Sequence, residues 1–187
     1  MAKATKLTPL GISALGLLVE RPMHPYEMYQ VLMQRREDRI VKVRPGTLYH
    51  AVGRLAAAEL VESIGTERDG NRPERTTYAI LPAGRVALEE RVKEILATPI
   101  NEYPAFPQAL DEAHNLPAGV VSDLLTQRLG ALTEEISALE SGVENALANG
   151  AEPRFLIDLH YQQAILKAET TWIRELCADI SDGTLPW

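Results

Sequence analysis

The chain has 187 residues, of which 45% are hydrophobic and 24% charged, which is enough apolar material for one large domain or two small ones. Its single cysteine, Cys177, excludes a disulfide scaffold, and the sequence contains no run of about 18 apolar residues that would predict a membrane span. Pro9 and Gly11 interrupt the apolar stretch near the N-terminus, so we expect no secretory signal and a cytoplasmic protein.

Charge is divided unevenly along the chain. Residues 1–98 carry 15 Lys and Arg against 12 Asp and Glu, a net of +3, whereas residues 99–187 carry 4 against 14, a net of −10. An approaching anion responds to the local field over about 10 Å and not to the total charge. We therefore expect the N-terminal half to face an anionic partner and the C-terminal half to avoid one.

Three short helices are predicted in the N-terminal half, over about 7–20, 25–36 and 45–59, and each has a proline in its first turn. The stripe of the third helix that we expect to be buried has the spacing i, i+4, i+7 and consists of Leu48, Val52 and Leu55. The opposite face consists of Gly46, Thr47, His50, Gly53, Arg54 and Ala57. That face is small or hydrogen-bonding, with one positive charge and no carboxylate.

Two β-branched runs, 60–66 and 75–80, flank a turn-rich loop and predict a β-hairpin, and a fourth helix follows over 82–96. The order of three helices and a hairpin is that of a winged helix-turn-helix. In that fold the third helix enters a major groove and the hairpin, the wing, lies over neighbouring phosphates or a minor groove. Three prolines between 98 and 107 predict a linker, so we place the winged DNA-binding domain at 1–97.

Two long helices are predicted after the linker, over 117–149 and 153–180. In the first, apolar residues alternate at spacings of four and three, which is typical of a coiled-coil seam, and these residues are Leu125, Leu129, Leu132, Ile136, Leu139 and Val143. The seam could pack only on the last helix of its own chain, but that last helix is apolar on two faces and needs a second partner. We therefore predict a mainly α fold, with an antiparallel long-helix dimerisation domain at 105–182.

The segment Arg44-Pro45-Gly46-Thr47-Leu48-Tyr49-His50, followed by Arg54-Leu55, resembles the recognition-helix signature of PadR-type transcriptional regulators. Residues 23–28 resemble the family's opening of the second helix, and residues 60–62 and 75–85 resemble its wing and the helix after it. The acidic two-helix segment 105–180, the tail, is similar in pattern and length to that of the longer PadR subtype. The resemblance implies a homodimeric bacterial or archaeal repressor on a pseudo-palindromic operator. In some members a phenolic acid or a lipophilic compound releases the repressor.

Four positions depart from the family pattern. Pro25 stands where the family usually has glycine, and the helix tolerates it because proline suits the first helical position. Glu59 stands where a glycine usually ends the recognition helix. A left-handed cap there would cost a non-glycine residue on the order of 1 kcal/mol, so we expect the helix to end without one. Leu81 replaces a threonine N-cap, which removes an interaction worth about 1 kcal/mol. His50 stands where proline is common, and we expect it to alter operator choice.

Candidate DNA contacts lie on the third helix, at its N-terminus, on the second helix and in the wing. Thr47, His50 and Arg54 share one face, and Arg54 is able to bond guanine or a phosphate. Pro45 and Gly46 begin the helix, whose N-terminus is a natural phosphate site. The predicted set is Tyr26, Arg44, Pro45, Gly46, Thr47, Tyr49, His50, Arg54, Arg72 and Arg75.

Three aromatic residues of the tail, Phe155, Tyr161 and Trp172, could line an effector pocket, although aromatic residues at helical spacing more often form core. The four histidines lack the spacing of metal ligands, and no nucleotide-binding or nucleophile motif is present, so we expect no metal, no cofactor and no enzymatic activity. The alternative to a DNA-binding regulator is a winged-helix module that assembles proteins without contacting DNA.

Overall fold

The structure is a computed structural model that describes residues 7–67 and 75–187. The chain divides into two compact units, residues 1–101 and 102–187. The described elements of the first unit are α1 (Pro9–Glu20), α2 (Pro25–Gln34), α3 (Pro45–Ala57), β1 (Val61–Glu67), β2 (Arg75–Ile80) and α4 (Pro82–Ala97). Those of the second unit are α5 (Ala105–Asp111), α6 (Ala118–Ala148) and α7 (Ile157–Asp182). None of the described helices is both long and apolar enough to cross a membrane.

Helices α1, α2 and α3 enclose the core of the first unit. The predicted stripe of α3 is buried, because Leu48 and Val52 are 0% exposed and Leu55 is 4% exposed. These side chains join one apolar cluster with residues of α1 and α2 such as Leu15 and Met28. Burying each such side chain contributes about 1.5–3 kcal/mol, so the stripe decides which face of α3 turns inward.

Hydrogen bonds define the starts of the first two helices and link one helix to the other. The Thr8 hydroxyl accepts the N–H of Gly11 at 3.2 Å, and Nδ1 of His24 accepts the N–H of Glu27 at 3.0 Å. Between the helices, the Arg35 guanidinium donates to both carboxylate oxygens of Glu20 at 2.6 and 2.8 Å. These hydrogen bonds lower the pKa of Glu20 and raise the pKa of Arg35 from their ordinary values.

The wing is an antiparallel pair, β1 with β2, and it is tied to the helices by a contact that the sequence analysis did not predict. Met23 and Tyr78 exchange backbone hydrogen bonds of 3.1 and 3.0 Å, so the connection between α1 and α2 adds a short third bridge to the hairpin. A bulge at Ile64 leaves that side chain exposed. The loop residues between β1 and β2 lie outside the described residues.

The end of α3 differs from the prediction. Glu59 adopts a left-handed conformation with φ of 56°. Its N–H bonds the carbonyl of Ala56, and the N–H of Leu60 bonds the carbonyl of Leu55, both at 3.0 Å. This is a Schellman motif, in which Leu60 also packs in the same apolar cluster as Leu55. The expectation of an uncapped end was wrong because the burial of Leu60 requires the chain to turn here.

The second unit is an antiparallel hairpin of α6 and α7, and its core uses the heptad stripe internally. Leu125 and Leu132 are buried in one cluster with Ile173, and Leu129 packs against that cluster. Leu139 and Val143 are also buried, and Ile136 is partly buried. The stripe predicted as a dimer seam is therefore occupied within the single chain and is not a free seam. The stripe of α6 is buried against α7 of the same chain, because α7 has a matching apolar face.

A short helix begins within the segment that the prolines predicted to be a linker and extends beyond it. Helix α5 begins at Ala105, and its Phe106 ring lies 3.7 Å from the Arg128 guanidinium carbon. That guanidinium also donates to Oε1 of Glu169 on α7, at 2.7 Å from Nε. The arginine thus joins α5, α6 and α7. Cys177 packs at the edge of this core, and burial raises the pKa of its thiol.

Gly84 lies at the closest approach of α4 to the wing. A Cβ at this position would overlap the carbonyl oxygen of Leu60 and would lie 2.9 Å from Cγ1 of Ile80. We expect Gly84→Ala to lower the free energy of unfolding by at least about 2 kcal/mol, because backbone and core must both shift. Gly16→Ala is the control, since nothing lies near its Cβ, and it should gain about 0.5–1 kcal/mol. Equal urea midpoints for the two variants would contradict the close approach.

Glu59 provides a second stability test. Because glycine adopts the left-handed conformation without the Cβ penalty, Glu59→Gly should raise the free energy of unfolding by about 1 kcal/mol in denaturant titrations. The matched control is Glu62→Gly in β1, where glycine weakens a strand and stability should fall. A loss of stability in both variants would show that the Schellman motif does not form.

Candidate nucleic-acid interface

The outward face of α3 is exposed along the whole helix. Thr47, His50, Gly53 and Arg54 are all exposed, as the inward position of the apolar stripe requires. The stretch 39–58, which leads into and includes α3, contains four Lys or Arg and no Asp or Glu. The face therefore carries positive charge and hydrogen-bonding groups without a carboxylate that would repel an anion.

The N-terminus of α3 is held by a reciprocal pair of hydrogen bonds. The Thr47 hydroxyl oxygen accepts the backbone N–H of Arg44 at 3.2 Å and donates its own hydrogen to the Arg44 carbonyl at 2.8 Å. The hydroxyl hydrogen is thus in use, which leaves Thr47 an acceptor lone pair and a methyl group for any partner. Pro45 and Gly46, in the exposed first turn, leave the end of the helix open to solvent.

One cleft brings three of the predicted residues together. It has a volume of about 470 Å³ and lies between the start of α1, the segment before α3, and α3 itself. Its lining consists of Thr8, Pro9, Leu10, Ile40, Val41, Lys42, Thr47, His50 and Arg54. Two lysine or arginine side chains and one histidine therefore share an open cleft whose lining contains no carboxylate.

The other predicted DNA contacts lie outside this cleft. Arg44, the N-cap residue of α3, and Tyr49 within that helix are both exposed. Arg75 is exposed at the start of β2. Tyr26 is exposed at the beginning of α2, with its ring 6.4 Å from that of Tyr29. Arg72 falls outside the described residues.

Two residues of the cleft were missed by the sequence analysis. Lys42 and Ile40 belong to the connection between α2 and α3, which the helical periodicity passed over. The available signal was the stretch without carboxylates, which begins at residue 39 and not at the helix itself. Ile40 is 55% exposed although it is apolar, and Lys42 makes no ion pair with any described residue.

The three aromatic residues predicted to line an effector pocket are open to solvent in the single chain. Phe155, Tyr161 and Trp172 are 66%, 68% and 45% exposed. They do not contribute to the cleft beside α3. The structure also contains no cluster of potential metal ligands within residues 7–67 and 75–187. A pocket at these aromatic residues would require a further surface to cover them.

Comparison with known proteins gives a family match over part of the chain and a fold for nearly all of it. Residues 14–90 match the family described as Transcriptional regulator PadR-like family. No curated protein matches the sequence significantly. Bacillus subtilis PadR in complex with operator DNA has the same fold, with a TM-score of 0.76 over 91% of this chain and 97% of that chain at 20% identity.

Two further structures extend the comparison. Bacillus subtilis PadR in complex with p-coumaric acid gives a TM-score of 0.74 over 92% of this chain and 98% of that chain, at 19% identity. A PadR-like transcriptional regulator from Bacillus cereus gives a TM-score of 0.65 over 92% of this chain and 99% of that chain, at 15% identity. At these identities the likeness shows a shared fold.

Three helices followed by a two-stranded wing define a winged helix-turn-helix protein. Residues 14–90 match the model of the PadR-like family of transcriptional regulators, and this match confirms the resemblance that the recognition-helix motif indicated.

Proposed function

We propose that this chain is a DNA-binding repressor that acts in the cytoplasm as a homodimer on a pseudo-palindromic operator. The observation that carries the proposal is the exposed, carboxylate-free face of α3, held outward by its buried stripe. A helix of this kind fits the major groove, where side chains read base edges. The second unit is then the dimerisation domain and the first unit the DNA-binding domain.

The proposed contacts divide into readers of bases and groups that bind the backbone. Arg54 and His50 stand in the middle of the exposed face and are the candidates for base contact, and Thr47 offers its methyl group to a thymine. Arg44, Tyr49, Tyr26 and the start of α3 are candidates for phosphate contact. Arg75 and Arg72 extend the phosphate contacts into the wing, and Lys42 is added from the cleft.

Dimerisation is proposed through the outward face of α7, which replaces the heptad stripe that is buried in the hairpin. Ile157, Tyr161, Ile165 and Trp172 are exposed and fall within about 80° of the helix circumference at 100° per residue. The buried residues of α7, such as Ile173, lie on the opposite side. A contiguous exposed apolar stripe typically marks an interface. A homodimer would supply the two copies of α3 that two operator half-sites, about 34 Å or a multiple of it apart, require.

We further propose that a phenolic or lipophilic compound releases this repressor. Bacillus subtilis PadR has been crystallised with p-coumaric acid, which supports an effector of that class here. Release requires that the compound bind the form that cannot hold DNA more tightly than the form that can, by a few kcal/mol. The exposed aromatic residues Phe155, Tyr161 and Trp172 would be covered by a partner chain at such a site.

Substitution of Arg54 tests the DNA proposal. Bound fragments are first selected from genomic DNA, and affinity is then measured by fluorescence anisotropy. Arg54→Ala should weaken specific binding by about 1–3 kcal/mol, because a bidentate base contact is lost. The matched control, Arg154→Ala, removes an exposed arginine of the second unit and should leave affinity unchanged.

Salt dependence separates the DNA-binding regulator from a protein-assembly module. If six or more phosphates are neutralised, raising salt from about 50 to 200 mM should reduce affinity about a thousandfold. Absence of binding to every genomic fragment, or binding that does not respond to salt, would favour an assembly module that makes no DNA contact.

The α7 stripe makes a prediction about oligomeric state. Ile165→Asp places a charge in the proposed interface and should convert a dimer into a monomer in sedimentation equilibrium, with helicity retained because Ile165 is half exposed in the single chain. Arg174→Asp is the control, since Arg174 is exposed on α7 but lies away from the stripe, and this variant should stay dimeric. A dimer that survives Ile165→Asp would move the interface elsewhere.

A further inference from the structure

We propose that the cleft beside α3 binds a small organic anion with an apolar body, and that this anion competes with DNA for the same cations. The competition rests on the proposed DNA-binding function, whereas binding of the anion does not. The cleft is formed within the first unit alone, so this site is separate from the exposed aromatic residues of α7.

The size of the cleft suits a small molecule. At about 470 Å³ it falls within the range of about 300–1,000 Å³ that is usual for ligand sites. Its walls come from three different segments of one folded unit: the start of α1, residues 40–42, and one face of α3. Both helices are anchored in the core, so most of the wall is in place before a ligand arrives.

Part of the lining is more apolar than DNA phosphates require. Leu10 and Val41 belong to or pack against the core, while Ile40 is an exposed apolar side chain at the rim. A phosphate gains nothing from these three residues, since it prefers hydrogen-bond donors and water. A flat or branched hydrocarbon body would remove Ile40 and its neighbours from water, which is the usual source of affinity for small ligands.

The charges of the cleft select an anion. Lys42 and Arg54 both line it, and neither forms an ion pair with a described residue. His50 adds two ring nitrogens, and the lining contains no carboxylate to balance the cations. A carboxylate on the ligand would complete charge-assisted hydrogen bonds with either cation. The apolar part of the lining and its unbalanced cations together fit an aromatic or branched-chain carboxylate.

Competition with DNA follows from shared residues. Arg54 and His50 are the proposed base contacts, and Lys42 is a proposed phosphate contact. A ligand that holds these groups neutralises charge on the recognition face and fills the space that a groove edge needs. Repression would then be relieved directly at the DNA surface, without a change in the dimer.

The experiment uses the full chain with 2-naphthoate as the probe and 2-naphthamide, its neutral isostere, as the matched ligand control. Binding is followed by amide chemical shifts in two-dimensional NMR and by calorimetry, in the absence of DNA. We expect 2-naphthoate to shift the amides of Thr8, Ile40 and Thr47, and 2-naphthamide to bind about tenfold more weakly because it lacks the charge-assisted bonds. Equal affinities for the two probes would overturn the charge argument.

Two cleft variants and one control locate the probe. Lys42→Gln should weaken 2-naphthoate several-fold, and Ile40→Ser should do the same while leaving DNA affinity nearly unchanged, since a phosphate does not need Ile40. Both side chains are exposed, so the fold should survive. Lys93→Gln, an exposed lysine on α4 that is not part of the cleft, should have no effect. Shifts confined to residues near Tyr161 and Trp172 would contradict the proposed location.

The two proposals fail separately. If 2-naphthoate binds in the cleft but no genomic fragment is bound, the site stands and the DNA-binding function is wrong. If DNA binds and 2-naphthoate does not, the inference is wrong and the proposed function stands. If 2-naphthoate and DNA each bind, the apparent Kd for DNA measured by anisotropy should rise linearly with the concentration of 2-naphthoate. An apparent Kd that does not change would show that the two bind simultaneously and would overturn the competition.

Discussion

Burial of one stripe on α3 is the constraint on which the rest of the first unit depends. Leu48, Val52 and Leu55 enter the cluster built by α1 and α2, and nothing else orients the helix as strongly. Because the stripe is inside, the polar face must be outside, and the side chains of Arg54 and His50 are exposed. The same burial aligns the start of α1 with α3 and so forms the cleft. The exposure of this surface is therefore a consequence of packing on the opposite side of one helix.

The position of the wing depends on backbone contacts more than on side chains. The Schellman motif at Glu59 turns the chain from α3 into β1, and Met23 pairs with Tyr78 to tie the hairpin to the helices. Gly84 then lets α4 approach the carbonyl of Leu60. These three contacts fix the position of the strands relative to α3. A left-handed glutamate is tolerated because the burial of Leu60 offsets its strain.

In the second unit, heptad spacing does not by itself decide whether a helix packs within its own chain or against another chain. A stripe with heptad spacing suits an interface between chains, yet α6 satisfies it against α7 of the same chain, and Arg128 and Glu169 add a polar brace to that hairpin. The dimer surface proposed in its place is the opposite face of α7, where exposed apolar residues recur at irregular spacing. Residues 99–187 have a net charge of −10 and contrast with the stretch 39–58, which has no carboxylate, so the overall charge of −7 describes neither surface.

Local signals in the sequence were sufficient for the winged-helix order, the starts of the helices at their prolines, and the inward and outward faces of α3, because caps and apolar periodicity act within a few residues. They were not sufficient for the Schellman motif, the Met23 bridge, helix α5 or the partner of the heptad stripe. Each of these depends on which distant segment arrives to bury an apolar face, and periodicity specifies a face without specifying its partner. The cleft is of the same kind: Lys42 and Ile40 matter only because folding brings the start of α1 beside them, and only the tertiary structure decides that proximity.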